Sequence, residues 1–233
     1  MDDANYADRV NGQMYTRFIK NFHEVMKPET YLEIGTQSGG TLMLAGCASI
    51  AIDPKFQINV NVAKGKPTCF LYQKTSDDFF HHYNPTTILG AAIDFVFLDG
   101  LHRFEFLLRD FMNAERFAHE RSFIMMHDCV PPGFYMTTRD MDDPLRLQKS
   151  RFGPWWTGDV FKVIPVLRHY RPDLKINVLD CAPTGLVMIT GQPSRRRSSS
   201  CSRRYYSLGL VRPRPRRVRP YWSDLRVQDS QAL

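Results

Sequence analysis

Short apolar runs that end in a glycine or an acid recur along this 233-residue chain and constrain its fold more than any other feature. The clearest is Ile93–Leu98, which runs directly into Asp99. Segments with apolar residues at helical spacing separate the runs, and such alternation is typical of a mostly parallel sheet. The runs predicted as strands are Thr30–Gly35, Ala48–Asp53, Thr68–Gln73, Ile93–Leu98 and Ser122–Met126.

Helices are predicted between these strands, and a hairpin is predicted after them. A helix within residues 1–29 ends before Pro28. The other predicted helices are Gly39–Ala45 (as a helix start), Asp77–Tyr83, Arg103–His119 and Thr157–His169. Lys175–Leu179 and Gly185–Thr190, joined by Ala182-Pro183-Thr184, read as two antiparallel strands. We therefore predict an α/β fold with a doubly wound, mostly parallel, seven-stranded sheet and a C-terminal antiparallel hairpin.

Charge divides the chain unevenly. The formal charge is +7, but the residues from Ser194 onward hold eleven arginines and two acids, giving +9, which leaves −2 for the other 193. We expect a helical extension over 1–29, a globular domain over 30–192 and a basic, disordered tail over 193–233. The tail can be solvated without a partner or can bind RNA, and nucleic acid is not expected elsewhere. It contains no lysine, whereas the preceding residues contain nine, so a late change of reading frame is a further explanation.

Several protein classes are excluded by composition. No apolar run reaches the roughly 18 residues of a membrane span, and the N-terminus carries acids instead of a secretory signal. The five cysteines form no Cys-x-x-Cys pair, so neither a disulfide framework nor a zinc ribbon is expected. A cytoplasmic protein fits these features best.

A cofactor pocket is predicted where the first two strands end. Gly35 allows a sharp turn, and Gly39 and Gly40 allow a ligand to approach the backbone closely. Asp53 ends the next strand, twenty residues after Glu33, where a carboxylate can accept hydrogen bonds from ribose hydroxyls. Glu33 would repel a pyrophosphate but tolerate a cationic amino-acid ligand. An ordinary tight turn is the simpler alternative.

Catalytic side chains are expected after the fourth and fifth strands. Asp99 ends an apolar strand and needs a partner, while His102 and His127 can accept a proton. Asp99 and Asp128 can supply oxygen ligands for Mg²⁺. Packing or capping remains the alternative for both histidines. The aromatic-rich loop Pro131–Trp156 is predicted to cover the substrate at these side chains, or alternatively to pack on the sheet.

Three segments together resemble a known family. Glu-x-Gly-x-x-x-Gly-Gly from Glu33, Ile-Asp-Pro from Ile52, and Asp-Phe-Val-Phe-Leu-Asp-Gly-x-His from Asp94 resemble the class I S-adenosylmethionine-dependent methyltransferases. The resemblance covers roughly residues 29–190 and is closest to the small-molecule O-methyltransferase group, which has a Rossmann-like sheet. Gln37 departs from the commoner motif, which has a second glycine there.

The resemblance implies an enzyme that methylates a hydroxyl of a small-molecule acceptor, such as a sugar or a secondary metabolite. It also implies that Glu33 and Gly35 border the methionine moiety and that the Ser76-Asp77 loop lies near adenine. The predicted cofactor-binding residues are Glu33, Gly35, Thr36, Ser38, Gly39, Asp53, Ser76, Asp77 and Asp99. Asp99, His102 and His127 are the predicted catalytic residues. A homo-oligomer is compatible with this prediction, and an NAD-dependent oxidoreductase and a nucleic-acid-binding protein remain the alternatives.

Overall fold

The computed structural model describes residues 10–150, 152, 155–191 and 226–231, and within them forms one α/β sheet structure. The seven strands lie in the order β3-β2-β1-β4-β5-β7-β6. The strands are β1 (Thr30–Ile34), β2 (Ala48–Ile52), β3 (Cys69–Tyr72), β4 (Ile93–Leu98), β5 (Ala118–His127), β6 (Lys175–Leu179) and β7 (Leu186–Thr190). The α-helices are α1 (Tyr15–Met26), α2 (Ser76–His82), α3 (Pro85–Leu89), α4 (Phe104–Glu115), α5 (Pro144–Lys149) and α6 (Val163–Tyr170).

The predicted topology is confirmed. The first five strands are parallel, and β7 is antiparallel to both β5 and β6. Every residue of β1 is buried, because one face of the sheet packs on α4 and α6 and the other packs on α1. Burial on both faces explains why the parallel strands read as continuous apolar runs. Their carboxyl ends therefore meet at one edge.

The prediction that a helix starts at Gly39–Ala45, after β1, is wrong, because only a 3₁₀ turn, Leu42–Leu44, forms there. The Lys66 ammonium donates to the carbonyls of Leu42 and Ala45, which a longer helix would use for its own amides. The residues after β2 run beside the turn that follows β1, with Gln57 N–H donating to Gln37 O across 2.8 Å.

Other boundaries also differ from the prediction. Helix α4 ends at Glu115, and His119 lies in β5, where its Nε2 lies 2.8 Å from Asp94 Oδ1. The helix predicted over Thr157–His169 begins later, as a 3₁₀ turn at Val160–Lys162 that leads into α6. Helix α3 was not predicted, although the Asn84 side chain that caps it, followed by proline, is a typical helix start.

The predicted tail behaves differently where it is described. Residues 226–231 lie along β6, with Gln228 N–H donating to Val178 O across 2.7 Å, and Ser230 is buried. This short segment is therefore part of the folded structure. Residues 1–9, 192–225 and 232–233, with most of the predicted tail, lie outside the described residues. Among the described helices, none has both the length and the apolar character that crossing a membrane requires.

Candidate active site

The turn after β1 fits tightly against the end of β4. Gly35 has a φ of 87°, and a Cβ on it would lie 1.9 Å from the carbonyl oxygen of Asp99. No side chain fits there, and few residues other than glycine adopt that backbone conformation. The turn and Asp99 are consequently held in direct contact.

Gln37, which departs from the commoner motif, takes a backbone conformation that favours glycine. Its φ is 44°, in the left-handed region, and its N–H donates to Asp53 Oδ2 across 2.8 Å. The other oxygen of Asp53 accepts from the N–H of Lys55 at 2.7 Å. The departure in sequence thus leaves the turn intact, because hydrogen bonds hold a backbone conformation that glutamine otherwise disfavours.

The two later glycines differ in what surrounds them. A Cβ on Gly39 would lie 2.5 Å from Val62, so the absence of a side chain at Gly39 leaves room for Val62, in the segment after β2. A Cβ on Gly40 would have only Ser38 Oγ nearby, at 3.7 Å. Close packing of the protein on itself explains Gly39 better than ligand approach does.

Glu33 lies beneath the turn with no exposed surface. One carboxylate oxygen accepts the Tyr31 hydroxyl at 2.5 Å. Burial raises the pKa of Glu33 to about 7, although the hydroxyls of Tyr31, Thr36 and Thr41 act in the opposite direction and favour its charged form. Hydroxyl groups therefore surround this buried carboxylate at the base of the turn.

Ser76 and Asp77 begin helix α2 and both contact α4. Ser76 Oγ donates to Asp110 Oδ1 across 2.5 Å, and Asp77 pairs with Arg109 through two hydrogen bonds. Asp110 is 3% exposed, and burial raises its pKa to about 7. The hydroxyl of Ser76 is therefore held in place by Asp110, a residue for which the sequence predicted no role.

The structure brings the four predicted residues after β4 and β5 together. His102 Nε2 lies 3.4 Å from Asp99 Oδ1 and 3.1 Å from Asp128 Oδ2. His127 Nδ1 lies 3.3 Å from Asp99 Oδ1. We call Asp99, His102, His127 and Asp128 the carboxylate–imidazole cluster. It is formed because parallel strands β4 and β5 end side by side.

Opposite charges stabilise one another within this cluster. Burial lowers the pKa of His102, but the carboxylates of Asp128 and Asp99 outweigh it and raise the pKa to about 10. Burial likewise opposes ionisation of Asp99, yet His127 and His102 hold the pKa of its carboxyl below the usual range. Burial lowers the pKa of His127 too, and both carboxylates reverse that and raise it.

Two side chains at the cluster were missed by sequence reasoning. The ring of Tyr15 stacks on the ring of His127 with centroids 4.0 Å apart, and Thr184 Oγ1 lies 3.2 Å from His127 Nε2. Burial first, and then the charges of Asp99 and Asp128, raise the pKa of Tyr15, so its hydroxyl stays protonated. Tyr15 and Thr184 are both far from His127 in sequence, and no local sequence pattern predicts their contact with it.

The last residue of the predicted cover loop, Trp156, and Gly158 just after it contact His102. The carbonyl of Trp156 lies 2.7 Å from His102 Nδ1, and the two rings are stacked 5.2 Å apart. Gly158 has a φ of 56°, and a Cβ there would lie 1.6 Å from the His102 carbonyl oxygen. Asp159 Oδ1 accepts from the Phe104 N–H at the start of α4, across 2.8 Å.

The donors of the cluster suit a divalent cation. One atom each from Asp99, His102 and Asp128 lies within 4.8 Å of the others. An imidazole is a usual ligand of Fe²⁺ or Zn²⁺, whereas the two carboxylates also suit Mg²⁺ or Mn²⁺. The bond from His102 Nδ1 to a main-chain carbonyl is the second contact that metal-bound histidines ordinarily make, and it points Nε2 at the carboxylates.

Comparison with known proteins identifies the class. Residues 32–129, from β1 through the end of β5, match the profile of a family described as a methyltransferase domain. That span contains the turn after β1 and the whole carboxylate–imidazole cluster. The chain therefore contains a methyltransferase domain. The motifs that begin at Glu33, Ile52 and Asp94 lie within the matched residues and resemble those of the S-adenosylmethionine-dependent group.

Solved structures support the fold. The cofactor-bound Rv0187 from MTB superimposes with a TM-score of 0.57 at 12% identity, covering 82% of this chain and 88% of that one. The O-methyltransferase TomG from Streptomyces achromogenes, in complex with SAM, gives 0.54 at 16% identity, covering 77% and 80%. An O-methyltransferase from Bacillus cereus, in complex with SAH, gives 0.52 at 14% identity, covering 75% and 79%. The comparison with curated proteins gave no match.

Proposed function

We propose that the chain transfers the methyl group of S-adenosylmethionine to a hydroxyl of a small molecule, a sugar or a secondary metabolite. The observation that carries this proposal is the direct contact between the turn after β1 and Asp99, which joins a cofactor pocket to the carboxylate–imidazole cluster. The O-methyltransferases from S. achromogenes and B. cereus, solved with SAM and SAH, share this fold and support the choice of acceptor atom.

The charges around the turn favour a cationic donor over a dinucleotide. Glu33, Asp53 and Asp99 end three adjacent strands, and three carboxylates disfavour a pyrophosphate. A sulfonium and an ammonium are stabilised in the same surroundings. Each oxygen of Asp53 accepts one main-chain N–H and keeps a lone pair for a ribose hydroxyl. We place adenine by the Ser76-Asp77 loop and Thr36 and Ser38 beside the methionine moiety, while Gly39 lets Val62 pack against the turn.

The chemistry is an in-line displacement. The acceptor oxygen forms a bond to the methyl carbon as the carbon–sulfur bond breaks. The electron pair of the broken carbon–sulfur bond stays on sulfur, which gives S-adenosylhomocysteine. The hydroxyl proton is released to solvent water as the oxygen–carbon bond forms. Asp99 orients the hydroxyl, and the protonated imidazoles of His102 and His127 stabilise negative charge on the acceptor oxygen. Tyr15 and Trp156 limit water from two sides of the imidazoles.

Asp99, Asp128 and His102 would hold a divalent cation, for which we propose Mg²⁺. A cation bound there supplies positive charge that lowers the pKa of a coordinated hydroxyl. It would take the place of the His102 Nε2 proton, which now lies between the two carboxylates.

Calorimetry with S-adenosylmethionine, S-adenosylhomocysteine and NADH tests the donor. We expect the first two to bind and Asp53→Ala to weaken both by about tenfold, since a ribose contact to a charged acceptor is lost. No binding at millimolar donor, or equal affinity in Asp53→Ala, would refute the proposal.

Transfer of a tritiated methyl group to a panel of phenols and sugars tests the acceptor. The same assay with EDTA, and then with Mg²⁺ added back, tests the cation.

A further inference from the structure

The residues just before α1 form a strap across the carboxyl edge of the sheet. Residues 12–14 pair with 180–182, through Gly12 N–H to Asp180 O at 3.1 Å and Ala182 N–H to Gln13 O at 3.0 Å. Tyr15 N–H then donates to Ala182 O at 2.9 Å. The strap thereby fixes the first residue of α1, whose ring stacks on His127.

The C-terminal segment 226–231 binds this strap from the outside. The Gln13 N–H donates to Ser230 Oγ at 3.2 Å, and Gln13 Nε2 donates to Ser230 O at 2.6 Å. Ser230 N–H in turn donates to Asp180 Oδ1 at 2.8 Å, so Asp180 is bonded to the strap and to the segment. The two bonds between Gln13 and Ser230 join residues 217 positions apart in the chain.

The fit between strap and segment is close. Ser230 is 1% exposed, and a Cβ on Gly12 would lie 2.5 Å from Ser230 Oγ and 2.1 Å from Asp180 Oδ1. A buried serine with three partners is a specific contact, unlike the loose association expected of an arginine-rich tail. The segment is continuous in sequence with that tail, so one end of the tail is attached beside the cluster.

We propose that Ser230 is a positioning residue of the active site, which acts through the strap to hold the Tyr15 ring on His127. The inference rests on the proposed function for its catalytic meaning but not for its geometry. Loss of the Ser230 hydroxyl removes the acceptor of the Gln13 N–H, and the strap then holds Tyr15 less firmly. The first turn of α1 carries that change to His127.

The test compares full-length Ser230→Ala with Gln228→Ala in the same segment. The exposed Gln228 side chain donates to the half-buried Asn177 across 3.3 Å, so this control keeps the backbone pairing and leaves the hydrogen bonds of the strap unchanged. NMR of histidine-labelled protein reports the ring-current shift of His127, assigned with His127→Gln and calibrated with Tyr15→Ala. Hydrogen exchange over residues 10–20 reports the strap amides.

Ser230→Ala is expected to move the His127 resonance toward its position in Tyr15→Ala. It is also expected to speed exchange of the strap amides and to slow methyl transfer, each by about fivefold, the effect of one hydrogen bond. Gln228→Ala is expected to change none of these. If Ser230→Ala does not fold, Gln13→Leu, which removes the bond to Ser230 O, replaces it.

An unmoved His127 resonance in the folded variant overturns the inference. The resonance is measured without donor or acceptor, so it is independent of the proposed function. A protein that shows the shift but binds no S-adenosylmethionine refutes the function alone. A protein that methylates normally with an unmoved resonance refutes the inference alone.

Discussion

The main-chain N–H of Gln37 donates to the carboxylate of Asp53 across 2.8 Å and stabilises glutamine in a backbone conformation that usually requires glycine. The same contact joins the turn after β1 to the end of β2. Because a main-chain atom makes the hydrogen bond, the side chain of Gln37 is not needed for it, and the identity of this residue can be tested separately from the turn.

Gln37→Gly is expected to stabilise the protein by about 1 kcal/mol, because glycine adopts a φ of 44° without strain. Thermal unfolding measures the change. Gln37→Ala retains a Cβ and the strain, so its melting temperature should not rise. A lower melting temperature for Gln37→Gly would show that side-chain contacts of Gln37 outweigh the strain.

Asp110→Asn is expected to flatten the pH dependence of stability. Burial raises the pKa of Asp110 to about 7, so the folded state binds a proton more tightly than the unfolded state. Stability contributed by that proton is complete below the unfolded pKa and is lost as the pH rises toward 7. Asparagine stays neutral and can still accept from Ser76, so the variant should be more stable than wild type at pH 8, by on the order of a few kcal/mol. Urea unfolding at pH 5 and pH 8 measures this, and an equal loss at both would contradict it.

Arg139 joins the residues of the cover loop to the start of α4 through Glu105 and the buried Asp159. Asp159→Asn removes the charge that Arg139 and Lys162 share, and should cost about 2 kcal/mol. Glu105→Gln, at the exposed end of the pair, should cost less than about 1 kcal/mol. Guanidinium unfolding compares them, and equal costs would mean that burial of Asp159 is unimportant.

Gly158→Ala is expected to disrupt the active site, since a Cβ would overlap the His102 carbonyl oxygen. We expect a loss of about 3 kcal/mol and a large drop in methyl transfer. Gly65→Ala is the matched control: Gly65 also has a positive φ, of 75°, but a Cβ there meets nothing within 4 Å. It should show only the backbone strain, about 1 kcal/mol. Similar losses in both variants would exclude the clash with His102 as the cause.

The strands and the cluster could be predicted from sequence because both depend on local patterns. Ile93–Leu98 is apolar since both faces of β4 are covered, and Asp99 follows it at the edge where ligands bind. Contacts over long distances could not be predicted. The Lys66 ammonium donates to the Leu42 carbonyl, and the ring of Tyr15 stacks on the ring of His127, which lies far later in the chain. Neither relationship leaves a periodic signal.

The segment after β2 has a dynamic consequence. It contacts the turn after β1 through two main-chain bonds, to Gln37 O and Ser38 O, and through Val62 on Gly39. Although Lys66 and several apolar side chains also attach this segment, it makes fewer main-chain bonds than a strand of the sheet, so we expect it to open at a lower free energy than the sheet and to expose the turn. Ligand capture at the turn would then favour the closed state and slow amide exchange as far away as Asn59, in residues that the ligand never touches.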